Sequence, residues 1–151
     1  MNSALTFTGS PYTSFMHETK VTLSNGIELH VEIGGQPEHP VIMLIMGLGA
    51  QLLFWPDFFC KSLIDQGYRV IRFDNRDIGL SSKIHHSGPR LNTFKLMGRF
   101  ALGLENQGAP YNLYDMAEDA ALLIDHLELD NVSVLGASMG GMIAQILAAK
   151  H

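Results

Sequence analysis

The chain has 151 residues, of which 46% are hydrophobic and 17% charged, a composition that excludes a disordered chain and predicts one globular domain with a buried core. Fifteen acidic residues against ten basic ones give a formal charge of −5, and the scattered lysines and arginines form no concentrated basic face for nucleic acid. The single cysteine, Cys60, allows no internal disulfide and no cysteine-rich zinc site, so the sequence predicts a reducing, cytoplasmic setting.

The N-terminal segment 1–19 is interpreted as a leader that precedes a folded domain over 20–151. It has neither the positively charged start nor the continuous apolar stretch of a secretory signal. The most apolar stretch of the chain, Val41–Ala50, is far shorter than the roughly 20 residues that span a bilayer. We therefore expect no membrane segment.

The first predicted elements are two strands joined by a tight turn. Lys20–Ser24 and Ile27–Ile33 alternate in character on either side of Asn25-Gly26. Asn-Gly supplies positive φ at both central positions of a two-residue turn, so this segment predicts an antiparallel hairpin. The next run, Val41–Ile45, is apolar on both faces, which is typical of a parallel strand covered by helices on either side.

Helical and strand patterns then alternate along the chain. A helix is predicted over Phe54–Gln66, with Pro56 early in it and Gly67 just past its end. Arg69–Phe73 follows as a strand and leads into a polar loop that begins at Asp74.

The second part of the chain continues the alternation. Apolar residues at helical spacing predict helices over Arg90–Gly103 and Leu113–Leu127. A strand over Val132–Leu135 and a helix over Met139–Ala149 follow. Strands that alternate with helices after one opening hairpin indicate an α/β fold with a mostly parallel sheet.

The sequence Gly136-Ala137-Ser138-Met139-Gly140 matches GxSxG, in which a serine stands on a sharp turn between a strand and a helix. A predicted strand precedes it and a predicted helix follows it. Gly136 and Gly140 would relieve crowding around the strained serine, and Gly141 would relieve the helix start further. Ser138 is therefore predicted to be a nucleophile. The alternative is a serine whose hydroxyl caps the free amides of the helix.

Two backbone amides are candidates for stabilising the negative charge that develops on a substrate oxygen. The amide of Met139 lies at the predicted helix start, where the helix dipole favours an anion. The loop after the strand Val41–Ile45 has Gly47 and Gly49 on either side of Leu48, and these glycines would let the Leu48 amide approach a substrate. The alternative for this loop is a glycine turn that only leaves a buried strand.

Three stretches of the chain carry a resemblance to a known family. They are the loop around Gly47, the run Asp74–Ser81 and the turn at Ser138, and in this order they resemble α/β-hydrolase fold enzymes. The run Ile71–Ser81 looks like the DxRxxGxS stretch of esterases and peptidases related to proline iminopeptidase and aclacinomycin methylesterase. The resemblance covers about Val21 to His151 and corresponds to the first half of that fold.

The resemblance implies that four residues of the DxRxxGxS stretch tie the loop together near the active site, in part by charge-assisted hydrogen bonds: Asp74, Arg76, Gly79 and Ser81. The chain also departs from the family. Many relatives carry histidine where Met46 stands, and its loss removes a side chain that often braces the oxyanion loop. The Leu48 amide is unaffected by that replacement.

In the family the order along the chain is serine, acid, histidine, with the last two on loops after later strands. The sequence ends at His151, soon after the helix that follows Ser138, so the resemblance implies a fold truncated before the acid and the histidine. No histidine of the sequence matches the position of the family's base: His17, His30, His39, His85, His86, His126 and His151.

The predicted function is that of a serine hydrolase that cleaves an ester or related acyl bond through an acyl-enzyme, with no cofactor and no metal. The complete enzyme would take a small-molecule substrate, whereas this chain alone is expected to be nearly inert because no base takes the serine proton. Alternatives are a non-catalytic half-domain that binds or regulates a partner, and a peptidase, thioesterase or acyltransferase. In the family's strand order Val132–Leu135 would be an exposed edge, so self-association is expected.

Overall fold

The computed structural model describes residues 15–84 and 110–151. Within these ranges the strands are β1 (Met16–Thr22), β2 (Glu28–Gly34), β3 (Val41–Ile45), β4 (Arg69–Phe73) and β5 (Ser133–Gly136). The α-helices there are α1 (Asp57–Asp65), α2 (Leu113–His126) and α3 (Met139–Lys150). The predicted helix over 90–103, and the histidines at 85 and 86, lie outside the described residues.

The strands form one mixed sheet in the order β1-β2-β4-β3-β5. β2 runs antiparallel to both β1 and β4, whereas β3 runs parallel to both β4 and β5. The predicted α/β class, with an opening antiparallel hairpin followed by parallel strands, is confirmed. In register, Ile45 lies between Phe73 and Gly136, so the carboxyl ends of the three parallel strands meet at one edge of the sheet.

The hairpin turn is wider than the predicted two-residue turn. Gly26 has positive φ (84°) but Asn25 does not, and the amide of Gly26 donates to the carbonyl of Leu23. The Asn25 side chain accepts from the Ile27 amide at 3.1 Å and donates to Asp119 at 2.8 Å. These two hydrogen bonds hold Asn25 and account for the wider turn.

Two predicted boundaries are wrong for identifiable reasons. β1 begins at Met16, earlier than the predicted Lys20, because pairing with β2 continues as far as Gly34. α1 begins at Asp57, later than predicted, because Pro56 disfavours helical backbone in the residue before it. A short 3₁₀ turn, Leu52–Phe54, precedes it.

The central strand β3 is buried on both faces, as its apolar run predicts. Met43 and Ile45 pack into a core between the sheet and the helices α2 and α3, which includes Leu123. Leu44 points to the other face and joins a smaller core that α1 covers with Cys60. The bounds predicted for β3 and β4 are those observed.

Across residues 15–84 and 110–151, helices long and apolar enough to cross a bilayer are absent.

Candidate active site

Ser138 occupies the turn between β5 and α3, at the carboxyl ends of the parallel strands. Its backbone angles, φ 54° and ψ −121°, lie outside the regions that L-residues ordinarily adopt. The residue is exposed, and its side chain makes no capping hydrogen bond to the helix. The bond that the capping alternative requires is therefore not formed.

The turn at Ser138 depends on close approach of backbone at two glycines. A Cβ added at Gly136 would overlap the carbonyl oxygen of Gly140, and a Cβ at Gly140 would overlap the carbonyl oxygen of Ile45. By contrast, a Cβ at Gly141 would stand 3.4 Å from the carbonyl oxygen of Gly136, an ordinary contact. Glycine is therefore required at 136 and 140, whereas position 141 has room for a side chain despite the steric relief expected there.

The loop after β3 lies directly against this turn. A Cβ at Gly47 would stand 3.1 Å from the Ser138 Cβ and 3.6 Å from its Oγ, so the missing side chain lets the two segments meet. Gly49 has φ 72°, and Leu48 between these glycines is 47% exposed. Met139 opens α3, where amides have no partner inside the helix. The amides of Leu48 and Met139 thus belong to the two segments that adjoin the Ser138 hydroxyl.

The carboxylate of Asp74 ties three segments together. Oδ1 accepts from the Leu52 amide at 2.7 Å, and Oδ2 accepts from the Leu80 amide at 3.0 Å and lies 3.0 Å from His30 Nδ1. Burial disfavours the charged carboxylate, but His30 and these amides outweigh it and lower the pKa of Asp74 below its ordinary value. Gly79 permits the approach, because a Cβ there would overlap the carboxylate.

Asn75, which the sequence interpretation did not single out, holds the other end of the loop after β3. Its side-chain amide is buried and donates to the carbonyl of Met46 at 3.0 Å. Because Asp74 holds Leu52, the segment that carries Leu48 is anchored at both ends by neighbouring residues of the β4 loop. The position of Asn75 beside Asp74 in the polar run is the signal that could have identified it.

Arg76 joins the β4 loop to α2. Its Nε and Nη2 donate to the two carboxylate oxygens of Asp119, each at 2.6 Å, and its guanidinium lies 5.1 Å from the centre of the Tyr111 ring. Ser81 donates from Oγ to the Asp74 carbonyl at 2.6 Å and accepts from the His30 amide at 2.9 Å. These contacts fit the structural task that the family resemblance implied for the loop.

A fully buried arginine on β4 was not predicted from the sequence. Arg72 donates from Nε to Glu32 at 2.8 Å, from Nη2 to Asp57 at 2.9 Å, and from Nη1 to the Trp55 carbonyl. Burial raises the pKa of the nearby Cys60 thiol, an effect that Arg72 partly opposes. The signal in the sequence was a charged residue inside an otherwise apolar strand. In the structure Glu32 lies directly across from Arg72 in the sheet and supplies the partner that this charge needs.

The described histidines with charged partners are bound away from Ser138. His30 lies on β2, which β4 and β3 separate from β5, and both of its nitrogens face carboxylates. His151 lies 3.3 Å from Glu118, at the opposite end of α3 from Ser138. Over the same described ranges, no group of three or more His, Cys, Asp or Glu side chains could hold a metal ion.

Ser138→Gly should raise the free energy of unfolding by about 1 kcal/mol, because the relief of backbone strain exceeds the entropy that glycine adds to the unfolded chain. Ser138→Ala keeps a Cβ at the same angles and should not stabilise the protein. Urea unfolding followed by circular dichroism measures both. Glycine and alanine variants of equal stability would mean that the turn carries no strain.

Residues 40–151 match the family model described as alpha/beta hydrolase fold. The chain belongs to the α/β-hydrolase fold family. This α/β-hydrolase is 31% identical over 130 residues to the rhodomycin D methylesterase DnrP of Streptomyces peucetius, covering 86% of the chain and 37% of that protein. It is 31% identical over 129 residues to the human serine hydrolase BPHL, covering 84% and 36%.

A solved structure agrees with this membership. The enol-lactonase of Burkholderia xenovorans LB400 superimposes on the α/β-hydrolase chain with a TM-score of 0.66 at 28% identity, over 87% of this chain and 42% of that one. The chain therefore spans less than half the length of the relatives to which we compare it.

Proposed function

We propose that this α/β-hydrolase supplies the nucleophile of a serine hydrolase that cleaves an ester or related acyl bond through an acyl-enzyme. The observation that carries the proposal is that Ser138 is an exposed residue held at φ 54°, directly beside the Gly47 backbone. Strain of this kind persists where the surrounding structure enforces it, which is common at functional sites. The names of two relatives, a methylesterase and an enol-lactonase, support ester-type bonds as the substrate class.

In the proposed mechanism Ser138 Oγ attacks the substrate carbonyl carbon. The amides of Leu48 and Met139 donate to the resulting oxyanion, and the start of α3 adds its favourable dipole. The alcohol leaves, and water then attacks the acyl-enzyme to release the acid and restore the hydroxyl. The Leu48 amide is held before the reaction because Asp74 and Asn75 anchor the loop that carries it.

A base must take the Ser138 proton and later return it to the leaving group. We assign this task to neither His30 nor His151, because both are bound to carboxylates away from the turn. Without a base, an oxyanion site together with substrate binding should retain an enhancement on the order of 10³ over the uncatalysed reaction. We therefore propose that the described residues alone make a weak catalyst with a reactive serine.

A fluorophosphonate probe followed by peptide mass spectrometry tests the proposal. We expect slow labelling of Ser138 that exceeds labelling of Ser133, an exposed serine on β5 with ordinary backbone angles. The adduct should disappear in Ser138→Ala and persist in the matched control Ser133→Ala. Equal labelling of the two serines, or a signal that survives Ser138→Ala, would contradict a nucleophilic role.

The second candidate function is a non-catalytic module that binds another chain along β5. Within the described residues β5 pairs with β3 on one side alone, and Leu135 is 42% exposed. A groove beside that edge is lined by residues of α2, α3 and β5 and of the segment just before β5: Ile124, Val132, Val134, Ala144 and Leu147. An open strand edge of this kind can pair with a strand of a second copy. Dimers in analytical ultracentrifugation, together with no adduct at Ser138, would favour this candidate.

A further inference from the structure

His30 stands within β2 with both ring nitrogens against carboxylates. Nδ1 lies 3.0 Å from Asp74 Oδ2, and Nε2 lies 2.9 Å from Glu18 Oε1. The side chains of His30 and Asp74 are 7% and 3% exposed, so water has little access to the contact between them. The ring is therefore held between two acceptors, one on β1 and one at the start of the loop after β4.

The number of protons on the His30 ring follows from this geometry. A neutral imidazole has one N–H and one lone pair, so it can donate to one of the two carboxylates. The other contact would then set a lone pair against a carboxylate oxygen at hydrogen-bond distance. The imidazolium, which has two N–H groups, satisfies both contacts.

The charges around His30 favour the same protonation state. Within the part of the chain that the structure describes, the neighbouring charged groups from β1, β2, β4 and α1 pair with one another: Lys20 with Glu28, and Arg72 with Glu32 and Asp57. Glu18 and Asp74 are the carboxylates that face the ring. Burial opposes its charge, but Asp74 and Glu18 outweigh burial and raise the pKa of His30 above its ordinary value of 6.5.

We propose that His30 is a positioning residue: as an imidazolium it fixes the Asp74 carboxylate, which in turn holds the amides of Leu52 and Leu80. Leu52 is one anchor of the segment that carries the Leu48 amide, so the link from His30 to the reaction rests on the proposed function. When the ring loses its proton, Asp74 loses its charged partner. The hydrogen bonds to Leu52 and Leu80 then weaken together.

Nuclear magnetic resonance on the isotope-labelled chain tests the protonation state directly. Both His30 nitrogens should carry protons at pH 6.5, and the ring should titrate with a midpoint above that value. The amide signals of Leu52 and Leu80 should move with the same midpoint, because both amides donate to Asp74. A ring that is neutral at pH 6.5, or amide signals that do not follow it, would overturn the proposal.

Two variants separate positioning from a merely structural role. Glu18→Gln removes one facing charge at a partly exposed site and should lower the His30 midpoint by about one pH unit. The titration midpoints of the Leu52 and Leu80 amide signals should fall by the same amount. His126→Gln, an exposed histidine in the last turn of α2, is the matched control and should leave all three midpoints unchanged.

Stability gives an independent readout with a defined sign. Because folding raises the pKa of His30, its contribution is complete below pH 6.5 and is lost as the pH rises through the folded-state pKa. The stability advantage of wild type over His30→Gln should therefore decline above pH 6.5. Asp74 does not contribute to this decline, because its lowered pKa makes its own contribution disappear only below pH 3.8. A constant advantage up to about pH 9 would contradict the ion pair.

The two proposals can fail separately. The resonance measurements do not depend on the reactivity of Ser138. If His30 and the two amides titrate together but Ser138 is not labelled, the proposed function is overturned and the role of His30 in fixing Asp74 stands. If Ser138 is labelled, the rate of labelling should fall as His30 is deprotonated, once the pH dependence of the probe's own reactivity has been subtracted. Labelling that ignores this titration would overturn the link from His30 to Leu48.

Discussion

Arg72→Met should lower the free energy of unfolding of this α/β-hydrolase by about 3–5 kcal/mol, measured by urea unfolding with circular dichroism. The guanidinium is fully buried and is bound by Glu32, whose side chain is 8% exposed. Methionine fills much of the volume but leaves the Glu32 carboxylate buried without its cation. The Trp55 carbonyl also loses a donor.

Controls separate the loss of a buried charge partner from the loss of any lysine or arginine. Lys61→Met removes the cation of an exposed pair with Asp65 on α1 and should cost less than about 1 kcal/mol. Arg72→Met combined with Glu32→Leu removes both charges and should recover most of the stability. If the double variant is as unstable as Arg72→Met, lost packing rather than the stranded carboxylate explains the effect.

Gly136→Ala and Gly140→Ala should each cost about 3 kcal/mol or more, because the added methyl would overlap backbone oxygens that cannot rotate away. At Gly140 the obstacle is the carbonyl of Ile45 in the central strand, and at Gly136 it is the carbonyl of Gly140 itself. Urea unfolding measures the loss. Labelling of Ser138 by the fluorophosphonate should also fall in any fraction that stays folded.

Gly141→Ala is the matched control, since it adds the same methyl one residue further along α3. Its nearest contact would be ordinary, at 3.4 Å, and alanine is the better helix former. We expect this variant to be neutral or more stable by up to about 1 kcal/mol. Similar losses of stability for all three variants would show that replacing any glycine in this segment is destabilising, and that overlap in the crowded turn is not the cause.

The strands and the serine turn could be predicted because each is encoded locally. The apolar run Val41–Ile45 matches the observed β3, since a strand buried on both faces needs apolar residues. The bounds of β4 are also those predicted, although Arg72 places a charge within that strand. The helix over Leu113–His126 follows from its spacing. The start of α1 was misplaced because apolar spacing was followed across Pro56.

The buried polar contacts between β2 and β4 could not be predicted in the same way. Glu32 and Arg72, or His30 and Asp74, become neighbours through the register of β2 against β4, which no local pattern specifies. The family resemblance assigned Asp74 to the loop without naming His30 as its partner. A charged residue within an apolar strand is nevertheless a useful sign, because burial requires it to find a partner.

The turn at Ser138 depends on strand pairing across a long stretch of the chain. β3 pairs with β5 through Met43 opposite Val134, two residues far apart in the chain, whereas β1 and β2 join through a short turn. During synthesis the hairpin can assemble while β5 is still untranslated. Because Ser138 follows β5 closely, we expect its backbone angles to form only once β5 has docked on β3, which is a long-range closure step.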